Sequence, residues 1–234
     1  MKKIKLIIYH PYSHIGGADN SLKKLLENLN YKKFSINFIS LNRSILKKDL
    51  KNKVEFINLN CSRTIFSILK LRNIVKNFQD SKKFSKVIIF SNQNFANIIS
   101  FFSLINLKNV KKIFIDRNHL DELSYSKNII EKLKKIIIKI LVKIIYKNAD
   151  LVVGISKKLS LDLSNFCNIK VKTIYSPGYD KSILEKAKKK INLNKKFKYI
   201  INVSRFTKRK DHYTTLKGFK LASDRIKNLK LILI

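Results

Sequence analysis

Cysteine is scarce. Cys61 and Cys167 are the only two in 234 residues, which excludes a disulfide-stapled scaffold and leaves no pair at metal-ligand spacing. The four histidines, His10, His14, His119 and His212, are scattered along the chain, so no zinc centre and no other metal is expected. Glycine occurs only five times. The first turn reads HPYSHIGGADN, without the Gly-x-Gly-x-x-Gly fingerprint, which argues against a dinucleotide-dependent oxidoreductase or epimerase.

Long apolar runs are also missing. The opening MKKIKLIIYH has a basic start, but its apolar part is only Ile4 and Leu6 to Tyr9, shorter than the roughly 7–15 residues of a secretory signal. It reads as a first strand. Val87 to Leu107 carries no charge, yet it holds Ser91, Asn92, Gln93, Asn94, Asn97, Ser100 and Ser103, which a lipid-facing helix would not tolerate. The SNQN knot divides it into strand, turn and helix. A cytoplasmic protein is expected, with peripheral contact at the inner membrane face as the variant discussed below.

Acids are the other shortage: 15 Asp+Glu stand against 51 Lys+Arg, a formal charge of +36. Such an excess attracts nucleic acid, acidic phospholipid or a phosphorylated small molecule. Lysine, isoleucine and asparagine all have AT-rich codons, however, and the lysines are spread over the whole chain, so net charge alone selects no partner. A basic nucleic-acid-binding protein is the alternative reading. Against it, the basic residues do not gather with exposed aromatics in a recognised module, and no nucleic acid is expected as partner.

What is present is an alternation of short β-branched runs with longer segments of helical period, the pattern of an α/β fold with a parallel sheet. The runs KLIIYH, INFISL, VEFINL, KVIIF, KIFID, LVVGI and VKTIY read as strands covered on both faces. Helical patterns fall at Gly17–Leu29, Ile65–Phe78, Phe95–Ile105, Asn128–Lys147 and Ser156–Asn165; the connection after Leu41 has no clear pattern. In the fourth of these, Lys132, Lys135, Lys139, Lys143 and Lys147 recur every three or four residues and form one basic stripe. Two readings are open: a helix packed on the sheet with a solvated lysine face, or a surface that lies on anionic lipid.

After VKTIYSPGYD the pattern changes. Residues 179–196 are lysine-rich and read as a linker with one short helix at most. Residues 197–234 then give a strand (FKYIINVS), a loop, a helix to about Arg225 and a second strand (LKLILI). That is the start of a second α/β domain, and two parallel strands have too little face to bury a core alone. The loop RFTKRK follows a strand end and precedes a helix, the place where open α/β sheets bind ligands and where helix amides favour anions. There Arg205 offers a planar two-pronged donor and Lys210 a mobile charge, a pairing suited to a diphosphate. The bland alternative is a solvated turn in a lysine-rich protein.

The run VSRFTKRKDHYTTLKGF resembles the second-domain signature of the retaining glycosyltransferases of family 4, which have the two-Rossmann-domain GT-B fold. Arg205, Lys210, Leu216, Gly218 and Phe219 match that signature residue by residue. GGADNSLKKLLENL is similar to the family's Gly-Gly-Ala-Glu loop and first helix, with Gly16, Gly17 and Ala18 as the ligand-facing residues. NADLVVGISKKLSLDL and IYSPGYD resemble the family's next landmarks in the correct order. The departures are Asp19 for the usual Glu, Ser176 for Asn and Asp211 at a frequent Gly position; the family's Glu-x7-Glu segment has no counterpart, so the chain looks truncated.

The resemblance implies an N-terminal, acceptor-side Rossmann-like domain (residues 1–178), the linker (179–196) and an incomplete donor-side domain (197–234). It implies sugar transfer from a nucleoside diphosphate sugar to a hydroxyl of a glycan or glycolipid acceptor, with retention and without a cofactor, in cell-envelope polysaccharide or lipopolysaccharide synthesis. Arg205 and Lys210 would hold the donor diphosphate. His119, within RNH, stands where the family often has a histidine facing the reaction crevice and is the candidate catalytic residue. Ser13 and His14 are weaker candidates. With most of the donor site missing, little or no activity is expected of the 234-residue chain.

Overall fold

The structure is a computed structural model that describes residues 2–13, 16–124, 126, 128–177 and 181–234. The chain divides into two compact units, Met1–Gly178 and Tyr179–Ile234.

The first unit is built on a seven-stranded sheet in the order β3-β2-β1-β4-β5-β6-β7. Its strands are β1 (Ile4–Tyr9), β2 (Phe34–Ser40), β3 (Glu55–Asn58), β4 (Lys86–Asn92), β5 (Val110–Asp116), β6 (Leu151–Gly154) and β7 (Val171–Thr173). Every pairing is parallel, with Ile4 of β1 opposite both Phe34 and Lys86. The expected strands are all present. β4 runs further than expected, through the polar Ser91 and Asn92, and Gln93 then turns the chain at φ 81° before the next helix.

The strand order reverses after β3, so right-handed crossovers must place the earlier helices on one face and the later ones on the other. The cores show this. Leu22 and Leu26 of α1 (Gly17–Glu27) and Leu50 of α2 (Lys47–Leu50) pack with Ile8, Ile36 and Phe38 on one side. On the other side α3 (Ile68–Asp80) and α4 (Asn94–Ser103) pack Leu71, Val75 and Ile99 against Ile7, Tyr9 and Ile89. Helices α5 (Ile129–Ile145) and α6 (Lys157–Cys167) continue that layer, packing Val142, Ile145, Leu159 and Leu163 against Phe114 and Val152. Leu22 and Leu26 are wholly buried, and each such burial contributes about 1.5–3 kcal/mol. The segment after Leu41, which had no readable period, is held by Leu46, Leu50 and Val54 inserting into the α1-side core.

One packing constraint is local. A Cβ added at Gly154, the end of β6, would lie 2.5 Å from Ser160 Oγ and 3.0 Å from its backbone N. Glycine lets the first turn of α6 sit directly on the strand end.

The second unit has α7 (Lys181–Ala187), β8 (Lys198–Asn202), α8 (His212–Ser223) and β9 (Leu229–Leu233). β8 and β9 pair in parallel, Ile200 opposite Leu231. Among the described residues of this unit none is fully buried, as expected for two strands and one covering helix.

Candidate functional site

Strands β1, β4 and β5 end side by side at the switch point of the sheet, the place where open α/β folds bind ligands. Each run closes on a polar pair: Tyr9-His10, Ser91-Asn92, Asp116-Arg117. Successive strand residues face opposite sides. The first member of each pair therefore joins the α3–α5 layer, and the second faces α1.

On the α1 side the polar groups form a connected chain. Arg117 Nε donates to Asn92 Oδ1 (2.8 Å), and its Nη1 donates to Ser21 Oγ of α1 (3.1 Å) and to Ser176 Oγ (2.9 Å). With its oxygen taken by the guanidinium, the Asn92 amide must present Nδ2 to His10 Nδ1, 3.3 Å away. His10 then accepts at Nδ1 and carries its proton on Nε2, which lies 3.5 Å from Asp19 Oδ1 without closing a hydrogen bond. Ser13 Oγ donates to the same carboxylate oxygen at 2.8 Å and sits 2.9 Å from Ser44 Oγ. His10, Asp19 and Asn92 are buried. The guanidinium, the amide and the imidazole are thus hydrogen-bonded in turn, and the carboxylate faces the far ring nitrogen across 3.5 Å. Burial pushes the Arg117 guanidinium below its ordinary pKa, and Asp19 opposes that shift.

Asp19 and Ser21 belong to α1, whose N-cap is Gly16 with an extended backbone (φ −170°, ψ 174°). Neither backbone strain nor crowding explains Gly17: it does not have positive φ, and a Cβ there would meet nothing within 4 Å. The space beside Gly17 is open, and Ala18 is half-buried next to it. Arg117 fastens this helix start to the ends of β4 and β5 through Ser21, and Ser13 ties it to the first loop through Asp19. His14 lies outside the described residues.

On the opposite face the polar groups are structural. Asn97 of α4 accepts from Ser91 Oγ (2.7 Å) and donates to Tyr146 Oη (2.8 Å) and to the Ile115 carbonyl (3.3 Å). Tyr146 Oη in turn donates to Asp116 Oδ2 (2.7 Å). Burial pushes the Asp116 carboxyl up to about 7, against the opposing effect of the Tyr146 hydrogen bond. These partners account for Ser91 and Asn97 of the uncharged Val87–Leu107 segment, and Ser103 Oγ donates to the Ile99 carbonyl at 2.8 Å, whereas the buried Ser100 Oγ has no hydrogen-bond partner among the described residues.

His119 lies two residues beyond Arg117 and is half-exposed, with Nδ1 3.1 Å from Asp162 Oδ2 of α6. Lys158 Nζ stands 4.0 Å from the same oxygen. The ring is thus tied to α6 and is no part of the chain of polar groups around Arg117. Among the described residues, no cluster of His, Cys, Asp or Glu could hold a metal ion.

In the second unit Arg205 and Lys210 flank the β8–α8 loop, which contains a 3-10 turn at Lys208–Lys210. Both side chains are exposed, and among the described residues neither has a side-chain hydrogen-bond or ion-pair partner. The loop is braced beneath them: Ser204 Oγ donates to Asn202 Oδ1 (2.8 Å) and so accepts from His212 Nε2 (3.1 Å), while the His212 ring stacks on Phe206 at 4.6 Å. Asp211 takes a left-handed backbone (φ 47°, ψ 53°) and caps α8, accepting from Thr214 N at 3.2 Å and Thr214 Oγ1 at 2.7 Å. The Thr214 hydrogen bonds hold its carboxyl below the usual range. The N-terminal end of α8 therefore carries its own anion, which offsets the attraction of its free amides for another.

Comparison with known proteins gives a likeness of fold. No protein-family model matches the chain, and no curated protein sequence matches it. Among solved structures it is similar to HepE of Anabaena, in complex with UDP and glucose, with TM-score 0.63 and 14% identity over 97% of this chain and 60% of that one. A glycosyltransferase from Rickettsia africae gives TM-score 0.58 and 16% identity over 100% of this chain and 69% of that one. The lipopolysaccharide outer core galactosyltransferase WaaB gives TM-score 0.58 and 13% identity over 98% and 68%. The chain thus spans 60–69% of the length of these structures. Structures named as a trehalose-6-phosphate phosphatase N-terminal domain and a UDP-N-acetylglucosamine 2-epimerase share the fold too. The seven-stranded unit is a Rossmann-like α/β domain of the kind found at the N-terminus of GT-B glycosyltransferases.

Proposed function

We propose that the chain is a glycosyltransferase of the family-4 type, moving a sugar from a nucleoside diphosphate sugar to an acceptor hydroxyl with retention. The observation that carries this reading is the β8–α8 loop: two exposed, unengaged cations, Arg205 and Lys210, stand on a braced turn at the carboxyl end of a parallel strand. The ordered motifs and the fold shared with HepE and WaaB agree with it. On this reading the first unit is the acceptor side. Its open space at Gly17 is assigned to a ligand, and Arg117, through Ser21, holds the helix start that borders this space.

The reaction requires the diphosphate to leave as positive charge develops on the sugar. Fixed cations at the leaving oxygens supply much of the stabilisation, so Arg205 and Lys210 are assigned to the diphosphate and no divalent metal is required. His119, held by Asp162, is assigned to orient a sugar hydroxyl. The 234 residues contain no pair of glutamates at Glu-x7-Glu spacing, so the chain alone is proposed to hold its donor weakly and to turn over little or not at all. Acceptors in cell-envelope polysaccharide or glycolipid synthesis are part of the same proposal.

Titration with UDP-glucose and with UDP, followed by amide NMR shifts, tests it. Weak binding with shifts centred on Arg205 to Thr214 is expected, weakened about tenfold by Arg205→Ala, the loss of one charge-assisted contact. Equal binding by the Arg205→Ala/Lys210→Ala variant refutes the assignment. Tight binding to the wild-type chain refutes the claim that its donor site is incomplete.

A further inference from the structure

Helix α5 has three faces, which bears on the two readings its lysine stripe left open, a solvated face or a surface lying on anionic lipid. Ile138, Leu141, Val142 and Ile145 pack on the core. A second row carries Lys132, Lys135, Lys139 and Lys143. The third face is apolar and uncovered: Ile129, Ile130, Leu133, Ile137, Ile140 and Ile144 are each more than half exposed. At 3.6 residues per turn these six fall within an arc of roughly 100°, along a helix about 25 Å long. Single exposed isoleucines are ordinary; a continuous stripe of them along a whole helix marks an interaction face.

The borders of the stripe indicate what covers it. Lys132, Lys139 and Lys143 run along one edge and Lys134 stands at the other. The helix has one acid, Glu131, and Lys135 holds it at 2.9 Å. A second copy of the chain docking through this stripe would bring two lysine-edged surfaces together, like charge against like. A sheet of phosphates above an apolar layer suits both the edges and the centre. Among the described residues no helix is long and apolar enough to cross a membrane, and one face of α5 is already committed to the core.

We propose that α5 is a membrane-surface helix. Its isoleucine stripe enters the boundary between headgroups and acyl chains of an anionic bilayer, and the exposed Lys132, Lys134 and Lys143 reach outward to the lipid phosphates, while Lys139 is held by Ser124 Oγ at 2.8 Å. This inference stands on the first unit alone and does not depend on the sugar-transfer reading.

The chain contains no tryptophan, so Ile137→Trp in the full 234 residues places a single indole in the middle of the stripe. With vesicles of phosphatidylglycerol and phosphatidylcholine, its emission shifts to the blue and is quenched by lipids brominated on the acyl chains; with phosphatidylcholine alone the change is smaller. A chain of charge +36 adheres to any acidic vesicle, so a second arm isolates the stripe. Ile137→Ser/Ile140→Ser lowers partitioning by about tenfold or more, given the apolar area removed, and lowers the melting temperature only modestly because more than half of each side chain is exposed. Lys47→Gln/Lys48→Gln/Lys51→Gln, on the α2 side of the sheet, lowers partitioning less. The proposal is overturned if the indole emission ignores vesicles, if the serine variant partitions like the wild type, or if the blue shift appears without lipid as protein concentration rises, which would make the stripe a contact between copies.

Discussion

Replacing Asp116 with asparagine tests the buried polar cluster beneath the sheet edge. Asp116 is 2% exposed and accepts a hydrogen bond from Tyr146, yet burial lifts its carboxyl to about 7, whereas an unfolded chain has an ordinary aspartate at about 3.9. Between those values the folded protein keeps a proton that the unfolded chain has lost. Stability from this group is therefore fully present below about pH 4, falls as pH rises, and is gone above about pH 7. At about 1.4 kcal/mol per pH unit, the loss across three units is on the order of 4 kcal/mol.

Asparagine keeps the shape and has no proton to lose. The variant should match the wild type near pH 4.5 and exceed it by about 2–4 kcal/mol at pH 8, or roughly 4–16 °C in melting temperature for a unit of this size. Urea titrations of both proteins from pH 4.5 to 8 measure the difference directly. Parallel stability curves for wild type and Asp116→Asn would show that the carboxylate is ionised in the fold and that Tyr146 and Asn97 compensate it fully, refuting the reasoning.

Arg117→Ala removes the donor to Asn92 Oδ1 inside a wholly buried amide and should destabilise the first unit by about 2–4 kcal/mol; Arg117→Lys should recover only part of that, because an ammonium cannot span Asn92, Ser21 and Ser176 together. A urea midpoint unchanged by the alanine would show that Asn92 turns to other partners. Gly154→Ala should cost about 1–3 kcal/mol by overpacking, since the new methyl meets backbone as well as Ser160 Oγ, and Ser160→Ala in the same chain should relieve only part of the loss in a thermal melt.

The strands were legible because parallel strands buried on both faces must be nearly continuous β-branched runs, and KLIIYH or KVIIF can be little else. The starts of α5 and α6 were legible too: Asn128 and Ser156 each accept from the backbone N–H three residues on, Glu131 and Leu159 respectively, whereas the ends fall two residues from the expected Lys147 and Asn165. The orientation of α5 was not. Apolar residues occupy most of its circumference, so periodicity locates the lysines but leaves open which isoleucines meet the sheet; packing against Phe114 and Leu163 decides that. The left-handed turn at Asp211 was half legible. An aspartate at a helix start is a good cap, and its bonds to Thr214 bear that out, but nothing in the sequence alone fixed its left-handed backbone.

The residues around the sheet edge illustrate a different limit. His119, Gly16 and Gly17 stand out because each belongs to a residue type with a reputation, whereas Arg117, Asn92 and His10 stand out only by position. Each is the second polar residue after a buried apolar run, and the pleat sends it to the α1 face while its neighbour goes to the other. Strand endings YH, SN and DR thus supply two networks at once. Tyr9, which meets Ser67 of the α3 side at 2.6 Å, belongs with Ser91 and Asp116 to the face that fastens helices to the sheet. His10, Asn92 and Arg117 belong to the face that fixes the start of α1 and the open space at Gly17. A one-residue slip of any of these strands would exchange the two sets, burying Arg117 among Asn97 and Tyr146 and turning Asp116 toward Asp19. The apolar alternation upstream, Ile7 on one face and Ile8 on the other, prevents that slip. The core pattern therefore determines which polar groups border the candidate ligand space.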